Sequence, residues 1–205
     1  MAYVLGFIAA DGSLIKNKRG AHFLEIQSID EELLFGIRKV LKSDLLIGQY
    51  IPKNKKWRKR FRLQIGSKKM YQDLTKLGIV PNKEYRLVMP SMPTLFLRHF
   101  IRGYFDGDGS VGFYAFQRKN RRVPTRMLLT TFTSCSMQIL EKIAYSLHIY
   151  AKVRSKVPMK KWGDNAFELR YSTVDSRKIY AFLYNKPGRL FLRRKKIIFE
   201  KYLRA

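Results

Sequence analysis

Apolar residues recur along this chain with two periods, and the places where the period changes mark its elements. Leu33, Leu34, Ile37 and Leu41 follow Asp30 at helical spacing, which predicts an amphipathic helix with a capping residue at its start. Ahead of it the period is two. Residues 14–18 and 21–29 flank Arg19-Gly20 as a hairpin, with Phe23, Glu25 and Gln27 sharing one face. A second hairpin is expected from residues 46–52 and 57–65 around Lys53-Asn54-Lys55-Lys56, and Ser67 opens another helix through Leu77. With an apolar helix ending at Asp11-Gly12-Ser13, the order reads helix, two strands, helix, two strands, helix.

The whole order then occurs again. Gly6-Phe7-Ile8-Ala9-Ala10-Asp11-Gly12-Ser13 returns as Gly103-Tyr104-Phe105-Asp106-Gly107-Asp108-Gly109-Ser110. Glu25-Ile26-Gln27-Ser28 before the first amphipathic helix corresponds to Thr131-Phe132-Thr133-Ser134, and Phe61-Arg62-Leu63 corresponds to Phe167-Glu168-Leu169. Three landmarks in one order indicate a duplicated unit. Pro81, Pro90 and Pro93 punctuate residues 78–94, so the chain divides into repeats at 1–88 and 95–205 with a linker at 89–94. The second copy carries nine extra residues before Ser134, expected as a long basic loop between Gln117 and Arg126, and it ends in a basic helix from about residue 190 to 204.

Composition changes the picture mainly through charge. The 205 residues include Lys+Arg 42 against Asp+Glu 15, a net +27, on a chain that is 46% hydrophobic and 14% aromatic. That much apolar side chain excludes a disordered tail. An excess of positive charge on a folded body repels itself, and a polyanion is the simplest partner for it. The single cysteine, Cys135, excludes an intramolecular disulfide framework and a multi-cysteine zinc site, and is expected in the core. No run of 18 apolar residues and no secretory leader is visible, so a protein acting in solution inside a cell is expected.

Chemistry has few places to sit. His22, His99 and His148 lack zinc spacing, and there is no phosphate-binding loop, dinucleotide fingerprint or nucleophile elbow. The unusual objects are the two Asp-Gly helix ends. If the helices pack through Gly6, Ala9, Ala10, Gly103 and Gly107, their backbones approach closely and Asp11 and Asp108 meet at the end of the crossing. Two adjacent carboxylates repel unless cations lie between them, and hard oxygen ligands suit Mg²⁺, with Mn²⁺ able to substitute. Such a site beside a basic surface describes metal-assisted phosphodiester hydrolysis. The alternative is that each Asp serves only its own turn.

These residues resemble a known family. Val4-Leu5-Gly6-Phe7-Ile8-Ala9-Ala10-Asp11-Gly12 and Ile101-Arg102-Gly103-Tyr104-Phe105-Asp106-Gly107-Asp108-Gly109 are similar to the two motif copies of LAGLIDADG homing endonucleases, with Ala9 departing from the earlier acidic position. The resemblance implies an α+β fold of two pseudo-symmetric αββαββα repeats. They would pack through the motif helices, with curved antiparallel saddles facing DNA. It implies metal binding by Asp11 and Asp108 with the carbonyls of Ala10 and Gly107. It also implies basic residues at Lys83 and Lys195 that polarise the scissile phosphate or organise water, unless these are solvated charges. A solvent network would involve Ser28, Gln27 and Ser134, unless the serines cap helices.

Ribbons of this kind also fit a major groove on their own terms. Alternation nominates Glu25, Gln27, Gln49, Lys53, Arg58, Arg60, Arg62 and Gln64 in the first half. In the second it nominates Gln117, Arg118, Arg121, Arg122, Arg126, Thr131, Lys152, Arg154, Lys156, Glu168 and Arg170. The expectation is a monomeric endonuclease that cuts both strands of a long, asymmetric DNA target with 3′ overhangs and promotes intron mobility. Two alternatives stay open: a maturase that binds its own intron RNA, and a regulator that binds DNA without cutting.

Overall fold

Two four-stranded antiparallel sheets with the same strand order, β1-β2-β4-β3 and β5-β6-β8-β7, carry the duplication into three dimensions. The computed structural model describes residues 1–52, 54, 58–81, 85–117, 119–120 and 122–204. The first half runs α1 (Ala2–Asp11), β1 (Gly12–Lys16), β2 (His22–Ser28), α2 (Glu31–Val40), β3 (Gly48–Tyr50), β4 (Arg60–Gly66) and α3 (Lys68–Lys76). The second runs α4 (Thr94–Asp108), β5 (Gly109–Phe116), β6 (Thr125–Ser134), α5 (Met137–Ala151), β7 (Met159–Lys160), β8 (Phe167–Tyr171) and α6 (Thr173–Tyr184), and adds α7 (Arg193–Arg204).

Each sheet has one face in a shared core and one face open. In β4, Phe61, Leu63 and Ile65 are buried while Arg60, Arg62 and Gln64 are exposed, the period-two signature of a half-buried strand. Helix α1 is apolar nearly all round, with Tyr3, Val4, Gly6, Phe7, Ile8 and Ala9 buried, as expected of a helix enclosed by its neighbours. Its partner is α4, and the two glycines set the distance between them. A Cβ on Gly6 would stand 2.0 Å from the Phe100 carbonyl oxygen, and one on Gly103 the same distance from that of Tyr3. Only hydrogen fits at either position.

Several local expectations change. The nine extra residues of the second half do not form a loop alone. They are shared equally: β5 and β6 are each three residues longer than β1 and β2, and the connection between them grows by three. Arg126 therefore lies in β6, paired with Ala115. Residues 152–156 are not strand either, because α5 continues to Ala151 and turns off at Lys152 with φ +56°. The outer strands are short, β7 having only two residues. Ser67 caps α3 as expected, accepting from the Met70 N–H at 3.1 Å. Asp30 stands at the cap position of α2 without capping it. Its carboxylate instead accepts from Arg194 Nε of α7 at 3.0 Å, bridging the two halves.

Candidate functional site

Asp11 and Asp108 end α1 and α4, and the close crossing of those helices delivers both to one open cavity of about 380 Å³. Ala9, Ala10, Gly12, Ser13, Leu87, Thr133, Ser134, Cys135 and Ala166 complete its walls. Asp11 reaches across to the other half: a Cβ on Gly107 would lie 3.2 Å from Asp11 Oδ2 and 2.4 Å from Ala10 Cβ. Both carboxylates are exposed. A second cavity of about 510 Å³ opens on the first-half side of Asp11, lined by Ser13, Glu25, Gln27, Ser28, Ile29, Arg60 and Arg194. Among the described residues no group of three or more His, Cys, Asp or Glu side chains converges on one point. A hard cation at Asp11 and Asp108 would therefore be held by two carboxylates, with backbone carbonyl, water or phosphate oxygens completing its shell. That donor set suits Mg²⁺, which keeps several waters when bound.

Beneath Asp108 lies a buried polar cluster. Asp106 is 1% exposed and accepts from the Tyr3 hydroxyl at 2.7 Å, the Tyr184 hydroxyl at 3.2 Å and the Leu192 N–H at 2.8 Å. Burial raises its pKa and pushes both tyrosines well up. Arg102, also buried, donates to the carbonyls of Leu183, Pro187 and Leu190, fixing the segment that leads into α7.

Lys195 is the sequence candidate whose surroundings differ most from expectation. Its side chain is 4% exposed, and Nζ donates to the carbonyls of Phe105 at 2.6 Å, Asp106 at 2.7 Å, Gly107 at 3.3 Å and Gly109 at 2.6 Å. Burial pulls this ammonium down to about 8, against the opposing pull of Asp106, Asp11 and Asp108. The group stands at the C-terminal end of α4, where carbonyls lack intrahelical partners and a cation is favoured. The Gly107 carbonyl expected beside a metal is thus also an acceptor for Lys195. Lys83, its counterpart in the first half, lies outside the described residues.

The two serines occupy matched turns. Ser28 Oγ accepts from Asp30 N–H at 3.0 Å and Ser134 Oγ from Ser136 N–H at 3.1 Å, so each hydroxyl orders the entry to the helix that follows. Tyr104 donates to the Thr133 carbonyl at 3.1 Å and its phenol is raised by burial and then by Asp108.

On the open face of the first sheet, Glu25 is the hub. It accepts from Gln27 Nε2 at 2.9 Å and Gln64 Nε2 at 3.1 Å, with Arg62 Nη1 at 3.7 Å. Arg58 and Arg60 are exposed. Gln49 is exposed too, but on β3 it pairs with the buried Phe61 and so lies on the core side of the sheet rather than on the open face expected of it. On the second sheet, Glu168 pairs with Arg170. Thr131 faces Arg170 and Ser110 across its neighbouring strands but is buried. Gln117, Arg122 and Arg126 are exposed on and beyond the lengthened ribbon. Lys152, Arg154 and Lys156 are exposed but off the sheet, and the Lys152 carbonyl is taken by Lys178 Nζ at 2.6 Å. Lys53, Arg118 and Arg121 lie outside the described residues.

Sequence reasoning missed the Asp106 cluster and Cys135. The cysteine is half-buried at the wall of the Asp11–Asp108 cavity rather than in the core, and its position directly after Ser134 was the only available signal. Arg102 inside an otherwise apolar helix face was a visible anomaly. Among the described residues, no helix is long and apolar enough to cross a membrane.

Known proteins resemble this arrangement. A 164-residue stretch is 30% identical to the DNA-directed RNA polymerase subunit Rpo1C of Methanocaldococcus jannaschii, and this takes in 73% of the chain but spans only 18% of that subunit. A lysine-to-alanine variant of I-SmaMI superposes over 99% of this chain and 89% of its own with a TM-score of 0.67 at 14% identity. I-SmaMI bound to an uncleaved DNA target with calcium ions gives 0.63 at 15% identity over 99% and 89%. The I-LtrWI LAGLIDADG homing endonuclease bound to target DNA gives 0.64 at 11% identity over 98% and 87%. Those likenesses concern the fold. Residues 1–81 and 95–185 each match the LAGLIDADG-like domain, and with two copies of that domain covering most of its length, the chain belongs to the LAGLIDADG-like family.

Proposed function

We propose that this protein is a site-specific homing endonuclease that makes a double-strand break in DNA by metal-dependent phosphodiester hydrolysis. The observation that carries the reading is the delivery of Asp11 and Asp108, one from each repeat, to one solvent-open cavity. Strand β4 carries Arg60, Arg62 and Gln64 in the first half, and β6 and β8 carry Arg126 and Arg170 in the second. Bound Mg²⁺, or Mn²⁺ in its place, supplies an activated water and stabilises the leaving oxygen. The protein's own part is placement. The Gly6–Gly103 crossing fixes the two carboxylates relative to each other, and Lys195 holds the end of α4 from which Asp108 projects. Residues 1–88 and 95–205 would each address one half-site, and unlike open faces make the target asymmetric. One strand is cut per half, leaving 3′ overhangs, and the break promotes mobility of the intron that encodes the protein. A duplex is the partner favoured over intron RNA because ribbon faces of this kind suit the major groove of B-DNA. The chain is taken to act as a monomer, both motif helices being supplied by one polypeptide.

Asp11→Asn and Asp108→Asn test the site. Each should lose double-strand cleavage of a selected target while keeping duplex affinity within about threefold, since a metal ligand is removed and the basic faces are untouched. Full cleavage by either variant sinks the assignment. Duplex binding should also weaken by about three to five decades between 50 and 200 mM salt if roughly 6 to 10 phosphates are contacted.

A further inference from the structure

The chain has two tryptophans, and each follows two lysines in the second hairpin of its repeat: Lys55-Lys56-Trp57 and Lys160-Lys161-Trp162. Trp57 lies outside the described residues, but Trp162 is placed and is 98% exposed. It does not sit on a loose loop. The turn that presents it is closed by the Lys161 N–H donating to the Ala166 carbonyl at 2.8 Å and by Lys161 Nζ on Asp164 Oδ2 at 2.9 Å, with Gly163 supplying φ +74°. Two more apolar side chains on the same arm, Val157 and Met159, are 72% and 73% exposed. Met159 stands opposite Glu168 in the β7–β8 register, so this arm shares the open face that carries Glu168 and Arg170. A bare indole held by an ordered turn just after two lysines is unneeded for the fold, since it touches almost nothing. Its neighbours point to the occupant: the tip is cationic, the whole chain carries +27, and the complementary surface is a polyanion with apolar faces.

Resting on the endonuclease reading, we propose that the Lys160-Lys161-Trp162 tip of the second repeat is a DNA-backbone anchor. The ammonium groups pair with successive phosphates, and the indole packs on the sugar and base edges between them. In the second half β7 is the far edge of the sheet from β5, the strand that begins just after Asp108. Three inter-strand spacings put the anchor roughly 15 Å across the sheet from the cut. It therefore adds affinity and holds the register of the duplex without touching the reacting bonds. Phosphate contacts of this sort position a protein without reading sequence, and an aromatic platform accepts any base.

With only two indoles, intrinsic fluorescence isolates the contact. In the Trp57→Phe variant, a mixed-sequence 40-base-pair duplex at low salt should quench the Trp162 emission or shift it to shorter wavelength, and high salt should reverse the change. Trp162→Ala should weaken duplex binding at least about fivefold with an unchanged salt slope. Lys160→Ala with Lys161→Ala should lower that slope by about 2. If Trp57→Phe does not fold, the difference between the natural protein and Trp162→Phe reports the same signal. Duplex binding, followed by anisotropy of a labelled strand, with emission and affinity indifferent to Trp162 overturns the anchor and leaves the endonuclease reading intact. A protein that binds no duplex at all overturns both. An emission shift that grows with protein concentration in the absence of DNA also overturns the anchor, and assigns the tip to contact between copies.

Discussion

On α4, Asp106 receives the Tyr3 hydroxyl of α1. The positions related to this pair by the repeat are Ala9 and Phe100, 1% and 0% exposed, neither with a side-chain polar atom. Acid and hydroxyl are thus present together on one side of the crossing and absent together on the other. The second half continues the theme. Its Asp106 also holds the Leu192 N–H ahead of α7, and Lys195 from α7 fastens the end of α4. The Tyr3–Asp106 bond ties the two motif helices to each other; the first-half helix adds to it apolar packing and the Gly6 contact, whereas the second is fastened by further polar groups. Yet both end in an exposed Asp at the same cavity. The lesson is that the terminal carboxylates carry a requirement common to both repeats, while the earlier acidic position of the motif is free to differ once its buried partner differs with it.

Breaking that matching should have the largest effect. Ala9→Asp places a carboxylate where no counterpart of the Tyr3 hydroxyl exists, and should destabilise the fold by about 3–5 kcal/mol in urea unfolding. Adding Phe100→Tyr should return about 1 kcal/mol. No recovery would mean that the two sides are not equivalent environments. Asp106→Ala removes the acceptor of two hydroxyls and one amide, and should cost about 2–4 kcal/mol. Tyr3→Phe, which deletes a single donor, should cost about 1–2 kcal/mol.

Lys195→Ala sharpens the comparison at the helix end. Leaving the α4 carbonyls without their cation should cost about 2 kcal/mol, and the loss should appear in thermal unfolding as well as in activity. An unchanged melting temperature with lost cleavage would instead assign Lys195 to the reaction alone. Asp30→Ala should have the smallest effect, below about 1 kcal/mol, because the Arg194 pair it breaks is partly exposed and no helix cap is lost.

The degree to which these features were legible in the sequence follows the range of the interactions behind them. β4 announced itself because each side chain's burial is fixed by its own parity. The α1–α4 crossing was readable from Gly6 and Gly103, since backbone contact tolerates no other residue there. The distribution of the nine extra residues was not readable. Whether an insertion becomes loop or ribbon depends on cross-strand pairing, and β5 and β6 form three more pairs with each other than β1 and β2 do. Residues 152–156 were misassigned for a similar reason, as the α5 apolar face kept finding core as far as Ala151.

By itself the sequence determined the duplication, the two motif helices, the alternating strands and the pair of terminal carboxylates, because local period and self-similarity encode all of these. Only the tertiary structure decided what the charged side chains touch. Asp30 left its helix cap for Arg194, Lys195 turned onto the carbonyls of α4 rather than into the open cavity, and Asp106 became the centre of a buried cluster. A long or ionised side chain goes to whichever partner best compensates its desolvation, and that partner, in each of these cases, came from the other half or from more than 75 residues away.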